Sequence, residues 1–367
     1  MCPPKTDTIP SRLPIHAFEQ ELIVLQDGSV AIGYCVQGFE DEAQPEATYQ
    51  AFTQTLAHTI RQFPVGTVLQ KIDTYYGDTF SLPPLGKEAS FWQQQQALHY
   101  QHYPILKHQS WLYLIVGAPS TVTPQLTCYA RGKALLEAPF AQLGANIKAV
   151  QQCAQELEAV LSDYWTCRKL TAQENLRGLY AYFNLDYVGK PTGFEHTIAH
   201  SSAGLQIGHK QVQVVSMSSQ TETPAYCAKN RLGHGEGVTV PFLWPLTHYL
   251  PFPHLTVQII RLLDTEPLMA RWSEELAWSE GATTQARSER QAQAACSAVA
   301  AFDQAIKERE EVLVEMALEV ILYSANVNTL GEQVEKTKSA IKRLGMQPLV
   351  ESYDTANLFF ACQPGVG

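Results

Sequence analysis

This sequence has no long hydrophobic run, no paired cysteine motif and no excess of basic residues. No stretch reaches the roughly 18 uninterrupted apolar residues of a transmembrane helix, and the first residues lack the apolar core of a signal peptide, so we expect a cytoplasmic protein. The eight cysteines contain no C-x-x-C pair, which favours reduced thiols. The net charge of −10 argues against a nucleic-acid-binding domain, which normally presents a basic face.

A nucleotide-binding P-loop is also missing. The motif G-x-x-x-x-G-K-[ST] cradles phosphates with backbone amides and a lysine, and its hydroxyl binds Mg²⁺. The chain has Gly-Lys dipeptides at 86–87, 132–133 and 189–190, but none has the preceding glycine or the following hydroxyl. We therefore expect this chain by itself not to be an enzyme, and we expect no bound cofactor.

Two groups of histidines have a spacing that metal sites use. His99 and His102 lie three residues apart on a predicted helix, with His108 further along, and His196 and His200 would share a face if their segment were helical. No acidic residue or cysteine completes either group. We therefore expect surface or core histidines and no metal site.

The glycine-dense loop 232–237 is the basis of an alternative interpretation. His234 and Glu236 have the residue types of a proton-handling pair, and the chain would then be a stand-alone enzyme or adaptor that uses the 218–253 region. An enzyme would require the two side chains to converge in a partly buried site. The loop neither follows a convincing strand nor opens a helix, so a surface connection is the favoured interpretation.

Hydrophobic periodicity predicts an α+β fold whose two halves have a similar order of elements. Strand-like runs flank an Asp27-Gly28 turn, and residues 205–215 form a second hairpin. Further strands are predicted at 67–75, 111–116, 255–263 and 312–323, and helices at 46–62, 87–103, 146–160, 171–183, 284–309 and 329–344. We predict two α+β subdomains, 1–185 and 186–367, each a sheet with helices on one face and a hairpin–strand–helix–strand–helix order.

Capping motifs predict where three of these helices begin. Thr171 with Glu174, and Thr329 with Glu332, have the T-x-x-E spacing of a capping box. Asn146 has the residue type of a cap for the helix that follows it. Each of these residues is therefore predicted to precede the first turn of a helix.

An aromatic, proline-rich segment, 240–253, is the candidate for protein interaction. Its prolines disfavour a regular helix or a central strand. Its aromatic side chains either pack in a hinge between the two halves or form an exposed apolar patch that a partner covers. The candidate interaction residues are Phe242, Trp244, Tyr249 and Phe252.

With these segments in order, the chain resembles the N-terminal region of the TraG-type conjugation ATPases of Bacteroidetes conjugative transposons, relatives of the large type IV secretion ATPase. The resemblance extends over nearly the whole chain and is one of segment order and character. The segments that carry it are the hairpin around Asp27-Gly28, Phe63-Pro64 followed by 68–76, Pro104 before 111–115, the run 240–246 with Pro253-His254, and 358–365.

The resemblance implies a function and a place in the cell. In the family, the segment similar to 358–365 precedes a RecA-like motor domain with a P-loop, so we expect a chain cut at a domain boundary or a split gene. The family implies an assembly or docking domain for DNA transfer, cytoplasmic and peripheral at the inner membrane. The implied partners are other conjugation-channel subunits and the motor domain, without direct nucleic-acid contact and with the oligomeric state left open.

Overall fold

The computed structural model confirms the α+β class that the sequence predicts. A large antiparallel sheet lies between helices on its two faces. The structure describes residues 5–7, 9–38, 46–80, 90–101, 103–117, 142–201, 204–218, 227–230, 238–241, 243–267, 270–271, 304 and 313–366.

The described residues contain fifteen strands. They are β1 (Lys5–Asp7), β2 (Ile15–Glu19), β3 (Leu22–Leu25), β4 (Val30–Gln37), β5 (Val68–Thr79), β6 (Pro104–Val116), β7 (Thr166–Lys169), β8 (Ile198–Ser201), β9 (Gly204–Ile207), β10 (Lys210–Ser218), β11 (Cys227–Asn230), β12 (Val238–Pro241), β13 (His254–Leu262), β14 (Val314–Ser324) and β15 (Gln347–Val350). The longest are β5, β6 and β14, with 12, 13 and 11 residues, and they lie near the centre of the sheet.

Eight helices are defined in the same part of the chain. They are α1 (Ile9–Arg12), α2 (Glu46–Arg61), α3 (Phe91–Tyr100), α4 (Leu143–Leu161), α5 (Ala172–Asn184), α6 (Trp244–His248), α7 (Val327–Arg343) and α8 (Thr355–Ala361). The loop 232–237 and, apart from residue 304, the helix predicted at 284–309 lie outside the described residues. None of the described helices combines the length and the apolar character needed to cross a membrane.

Thirteen of the described strands form one continuous antiparallel sheet. The order across it is β1-β8-β9-β10-β14-β13-β5-β6-β4-β3-β2, with β15 also beside β10 and β7 also beside β4. At its centre β13 pairs with β5, from His254 opposite Tyr75 to Arg261 opposite Val68. The other two strands, β11 and β12, form a separate hairpin.

The two halves of the sheet repeat one topology. In the first half the core elements run β4, α2, β5, β6, α4 and β7, with the sheet order β7-β4-β6-β5. In the second half they run β10, α6, β13, β14, α7 and β15, with the sheet order β15-β10-β14-β13. Each half is therefore a split β-α-β motif. The subdomain boundary between 185 and 186 stays a prediction, because both halves belong to one sheet.

Helices cover both faces of this sheet. The prediction of helices on one face only was therefore wrong. Side chains alternate along a strand, so Leu112 and Leu114 of β6 face α2 and α4, whereas Tyr113 and Ile115 face α5 and α8. We call these the first and the second face. In the other half α6 and α7 pack on the first face, in a core that contains Val320. The second face holds one core that extends across both halves.

Local capping signals were correct for one helix and wrong for another. At α5 the predicted box is confirmed: the Glu174 amide donates to Thr171 Oγ1, and the Thr171 amide donates to Glu174 Oε2 at 2.9 Å. At α7 the cap is Asn326 rather than Thr329, because the Asn326 carboxamide already accepts from the first backbone amides. The helix α6 also forms despite the prolines, since Pro245 lies in its first turn, where no amide is needed.

The Asp27-Gly28 hairpin is confirmed, and it is fastened to a helix. Asp27 Oδ1 accepts from the Ser29 amide, and Gly28 takes the positive φ of 82° that the turn requires. Asn146 does not cap α4 as predicted, because α4 begins earlier, at Leu143. Its amide Nδ2 instead donates to the Gly28 carbonyl at 2.9 Å and joins the hairpin to α4.

The segment from α8 to residue 366 packs on the centre of the second face. The ring of Phe359 is fully buried, and Tyr182 Oη donates to its carbonyl at 2.5 Å. Gln70, buried on β5, donates to the Gln363 carbonyl at 3.0 Å and accepts from the Gly365 amide at 2.9 Å. One side chain of the first half therefore fixes the end of the second half.

Candidate interaction surface

The aromatic segment that the sequence singled out is mostly packed inside the protein. Phe252 belongs to the core under α6 and α7, and Trp244 is buried with its ring edge against Tyr249, at 5.3 Å between centroids. Tyr249 is 38% exposed, with the Arg343 guanidinium 4.2 Å above its ring. Core packing thus explains Trp244 and Phe252, and an interaction role for Tyr249 stays a prediction. Phe242 lies outside the described residues.

A larger exposed apolar surface lies on α3. A local capping box, in which the Gln93 amide donates to Ser90 Oγ and the Gln93 side chain accepts from the Ser90 amide, holds the start of this helix. None of its residues is buried, and Trp92 is 78% exposed. Phe91 and Leu98 are exposed as well. We call Phe91, Trp92 and Leu98 the aromatic surface.

The helix α3 is carried at the end of a two-stranded ribbon. The distal residues of β5 and β6 extend past the strands that flank them, and Lys107 Nζ pairs with Asp78 Oδ2 across the ribbon at 2.5 Å. Tyr100 attaches α3 to the ribbon through edge contacts with Phe80 and Tyr103, at 6.3 and 6.5 Å. Sequence reasoning predicted this helix but missed its surface, although adjacent Phe and Trp in a Gln-rich helix were a signal.

A polar cluster lies on the first face of the central strands, and we call it the polar quadrant. It consists of Lys71, Asp73, His108 and Ser110, which β5 and β6 place on the same face. The Asp73 carboxylate is buried and accepts from the Lys71 ammonium and the Ser110 hydroxyl, and its Oδ1 lies 3.1 Å from His108 Nε2. The imidazole of His108 is half-exposed, so the cluster opens to solvent.

The electrostatics of the polar quadrant favour the ionised carboxylate. Burial by itself would raise the pKa of Asp73, but the Lys71 charge and the hydrogen bonds from His108, Lys71 and Ser110 outweigh it. The pKa of Asp73 therefore lies well below its usual range. The buried charge is paired, as such charges must be to be tolerated.

The residue types Ser, His and Asp suggest a catalytic triad, but the geometry is different. In a triad the serine and the carboxylate bind opposite nitrogens of the imidazole, so that one nitrogen takes the serine proton while the carboxylate orients the ring from the other. Here Ser110 Oγ and Asp73 Oδ1 both approach His108 Nε2, at 3.2 and 3.1 Å. The Ser110 hydroxyl also donates directly to Asp73. This arrangement orders an ion pair and does not activate Ser110.

A stack of three rings lies beside this cluster. Tyr75 is sandwiched between His108 and His254, with centroid distances of 4.6 and 4.4 Å. His254 is fully buried, and its Nδ1 lies 2.8 Å from the Phe252 carbonyl. Burial lowers the pKa of His254 to about 4, so this imidazole is neutral at pH 7.

The described histidines of the first predicted group lie on different elements. His99 is exposed on α3, His108 lies on β6, and His102 lies outside the described residues. The segment of His196 and His200 is not helical, because β8 begins at Ile198. Over the described part of the chain no three His, Cys, Asp or Glu side chains are placed to hold a metal ion. His234 and Glu236 lie outside that part.

The strand register shows which residues of the two halves correspond. Tyr34 and Val215 are the first residues of β4 and β10 to pair with β7 and β15. From Tyr34 the pairing is followed across β6 to β5, and from Val215 it is followed across β14 to β13. This register aligns Asp73 with Gln258, His108 with Met316, and Ser110 with Leu318. The polar quadrant is therefore a feature of the first half alone, and the repeated fold does not require it.

The counterparts of Asp73 and His108, which are Gln258 and Met316, belong to a mostly apolar place in the second half, and we call it the methionine quadrant. It consists of Gln258, Ile260, Val314 and Met316, which lie on the first face of β13 and β14. Val314 and Met316 are 48% and 44% exposed, so the described helices leave this place open. The described surface thus has an exposed aromatic helix, an exposed apolar corner and a paired charge cluster.

No family model matches the chain, and no curated protein matches it.

Proposed function

We propose that this chain is an assembly domain of a conjugation ATPase that acts by binding protein: other channel subunits and the motor domain. The proposal joins the resemblance in segment order to one observation, the exposed aromatic surface on α3. Monomeric proteins seldom leave such a surface bare unless a partner covers it. In this proposal the domain lies peripherally at the inner membrane through its protein partners.

The composition of α3 suits a helix that docks into a groove. Phe91 and Leu98 are seven residues apart and so lie on one side of the helix, with Trp92 beside them. Large aromatic side chains supply most of the binding energy at protein interfaces. The helix contains no Asp, Glu, Lys or Arg, so its docking would bury no charge.

Removal of the aromatic surface from the full chain tests the proposal. The double change Phe91→Ser and Trp92→Ser is expected to lower the retention of co-expressed channel subunits and motor domain at least tenfold. The fold should persist, because no residue of α3 is buried. Co-purification measures retention, and circular dichroism measures the melting temperature.

The matched control is Gln95→Ser with Gln96→Ser on the same helix. It changes helix propensity by a similar small amount and leaves the aromatic surface intact. Normal retention is expected from it. If the Phe91/Trp92 double variant melts like the parent chain and still retains every partner, the proposal that α3 is a docking element is wrong.

A further inference from the structure

The first face of the sheet is built to receive helices. On its four central strands, α2 and α4 pack over one corner, around Leu112 and Leu114, and α6 and α7 pack over the diagonally opposite corner, around Val320 and Leu322. The polar quadrant and the methionine quadrant are the other two corners. Because sheets and helices bury their apolar faces against each other, an open apolar corner is a site for one more helix.

The methionine quadrant has the chemistry of such a site. Its four side chains carry no charge, and Gln258 Nε2 donates one hydrogen bond to the Met316 sulfur at 3.5 Å. The thioether of methionine is flexible and polarisable, and methionine is common on surfaces that adapt to aromatic ligands. The quadrant therefore fits an uncharged aromatic helix.

The polar quadrant would reject the same helix. An apolar helix placed there would cover the Lys71 ammonium and the His108 imidazole, which are still partly exposed, without providing new hydrogen bonds, and this is costly. The two corners, in which Asp73 and His108 correspond to Gln258 and Met316, thus present different chemistry to a helix. Of the two corners that the described helices leave open, the methionine quadrant suits a helix without charge.

The chain's own α3 cannot reach this corner. Ile260 lies opposite Leu69, near the start of β5, whereas α3 follows the far end of β5 at Thr79. Ten residues of extended strand separate Leu69 from Thr79, which is roughly 33 Å. The tie of α3 to its ribbon through Tyr100 holds it at that far end.

We infer that α3 of one copy docks on the methionine quadrant of a second copy, so that the chains associate head to tail. The inference rests on the proposed function, that α3 is a docking element, and it names the partner. A second copy brings an uncharged helix to an uncharged corner, although each chain has a net charge of −10. A lipid surface is the less suitable occupant, because interfacial helices carry Lys and Arg toward anionic headgroups and α3 has none.

Head-to-tail docking uses a different patch on each copy, so it builds rings or chains of copies rather than a closed pair. The purified full chain is therefore expected to grow in mass with concentration, as measured by sedimentation velocity. Trp92→Ser and Met316→Asp should each weaken association at least tenfold. Added salt should strengthen association in the parent chain, because it screens the repulsion between acidic copies.

A mixing experiment tests the direction of docking. The Trp92→Ser chain keeps its quadrant, and the Met316→Asp chain keeps its aromatic surface, so one junction remains available between them. The equimolar mixture should form a species of two chains and nothing larger, although each variant alone stays monomeric. The control His108→Ala, at the position that corresponds to Met316, should associate like the parent.

Three results would overturn the inference. They are a parent chain that stays monomeric at the highest concentration, association that neither variant weakens while both fold normally, or a mixture that forms no pair. Phe91→Ser serves as a second variant of the aromatic surface if Trp92→Ser does not fold. A monomeric parent whose Phe91/Trp92 double variant still loses channel subunits would refute self-docking alone and leave the proposed function standing.

Discussion

Replacement of Glu319 by Gln should stabilise the protein at high pH and have almost no effect at low pH. Glu319 lies on β14, is 7% exposed and points to the second face, where no described residue donates a hydrogen bond to its Oε2. Burial raises the pKa of this carboxyl to about 7, and the neighbouring Glu351 carboxylate adds to the shift. The folded protein therefore holds a proton that the unfolded chain releases.

The sign follows from linkage between protonation and folding. Below pH 4.5 Glu319 is protonated in both states and contributes nothing to the pH dependence. As the pH rises from 4.5 to 7 the unfolded chain ionises first, so stability falls across that window, and the loss is complete above pH 7. A shift of this size corresponds to about 3 kcal/mol at pH 8, because each pKa unit is worth about 1.4 kcal/mol. Glutamine has the shape of the protonated acid and avoids this cost.

The assay is urea denaturation of parent and variant at pH 4.5, 6, 7 and 8, followed by tryptophan fluorescence. The stability gain of Glu319→Gln should grow from less than about 0.5 kcal/mol near pH 4.5 to about 3 kcal/mol at pH 8. The control is Glu335→Gln on α7, where the carboxylate is exposed and pairs with Lys338, and its effect should be small at every pH. A gain that does not change with pH, or a loss at pH 8, would refute the assignment.

Three further predictions concern other buried or capping groups. Burial lowers the pKa of His254 in the folded protein to about 4, so the stability that depends on the neutral imidazole is complete above pH 6.5 and is lost as the pH falls toward 4. Between pH 7 and 4.5 the free energy of unfolding of His254→Gln, measured by urea denaturation, should therefore fall by about 2.5 kcal/mol less than that of the parent. Asn326→Ala should cost about 1 kcal/mol and Thr329→Ala much less, since Asn326 caps α7, and equal costs would contradict that cap. Gln70→Ala should cost about 3 kcal/mol and speed amide hydrogen exchange at Gly365, whose amide donates to Gln70, and unchanged exchange there would contradict the anchoring role.

The parts of the fold that the sequence predicted are those with local causes. The Asp27-Gly28 hairpin and the capping box of Thr171 and Glu174 depend on residues a few positions apart, and both are present. The predicted start of α7 was wrong. Asn326 and Thr329 both have side chains that can cap a helix, and the position at which the preceding strand ends decides between them. The short strand β7 was not predicted, since four residues carry too little periodicity to show.

The candidate sites depended on register, which one sequence does not reveal. Asp73 and His108 are 35 positions apart, and the pairing of β5 with β6 brings them together. The aromatic segment was recognised by composition, but whether Trp244 was buried depended on α6, a helix that the prolines had seemed to forbid. The exposure of Trp92 likewise follows from the ribbon, which places α3 beyond the rest of the sheet.

The differences between the two halves carry more information about function than their likeness does. A repeated topology needs apolar side chains at repeated positions, and the register supplies them: Leu112 and Val320 correspond, and both belong to cores. At the next position the register aligns Trp111, which packs against Gly178, with the buried acid Glu319. The topology does not require an acid at this position, because an indole fills the corresponding position in the other half. The buried carboxylate therefore lowers stability without a structural need.

The same reasoning applies on the first face, where His108 corresponds to Met316. A fold that needed only stability would keep both corners alike, because the strands that form them are equivalent. One corner instead holds paired charges and the other an open thioether, so the two corners present different chemistry to a neighbour. In the self-association that we propose, an aromatic helix would bind in one place and one direction, as head-to-tail assembly requires. Exchange of the two residues, with His at 316 and Met at 108, should leave the sheet intact and weaken self-association as Met316→Asp does.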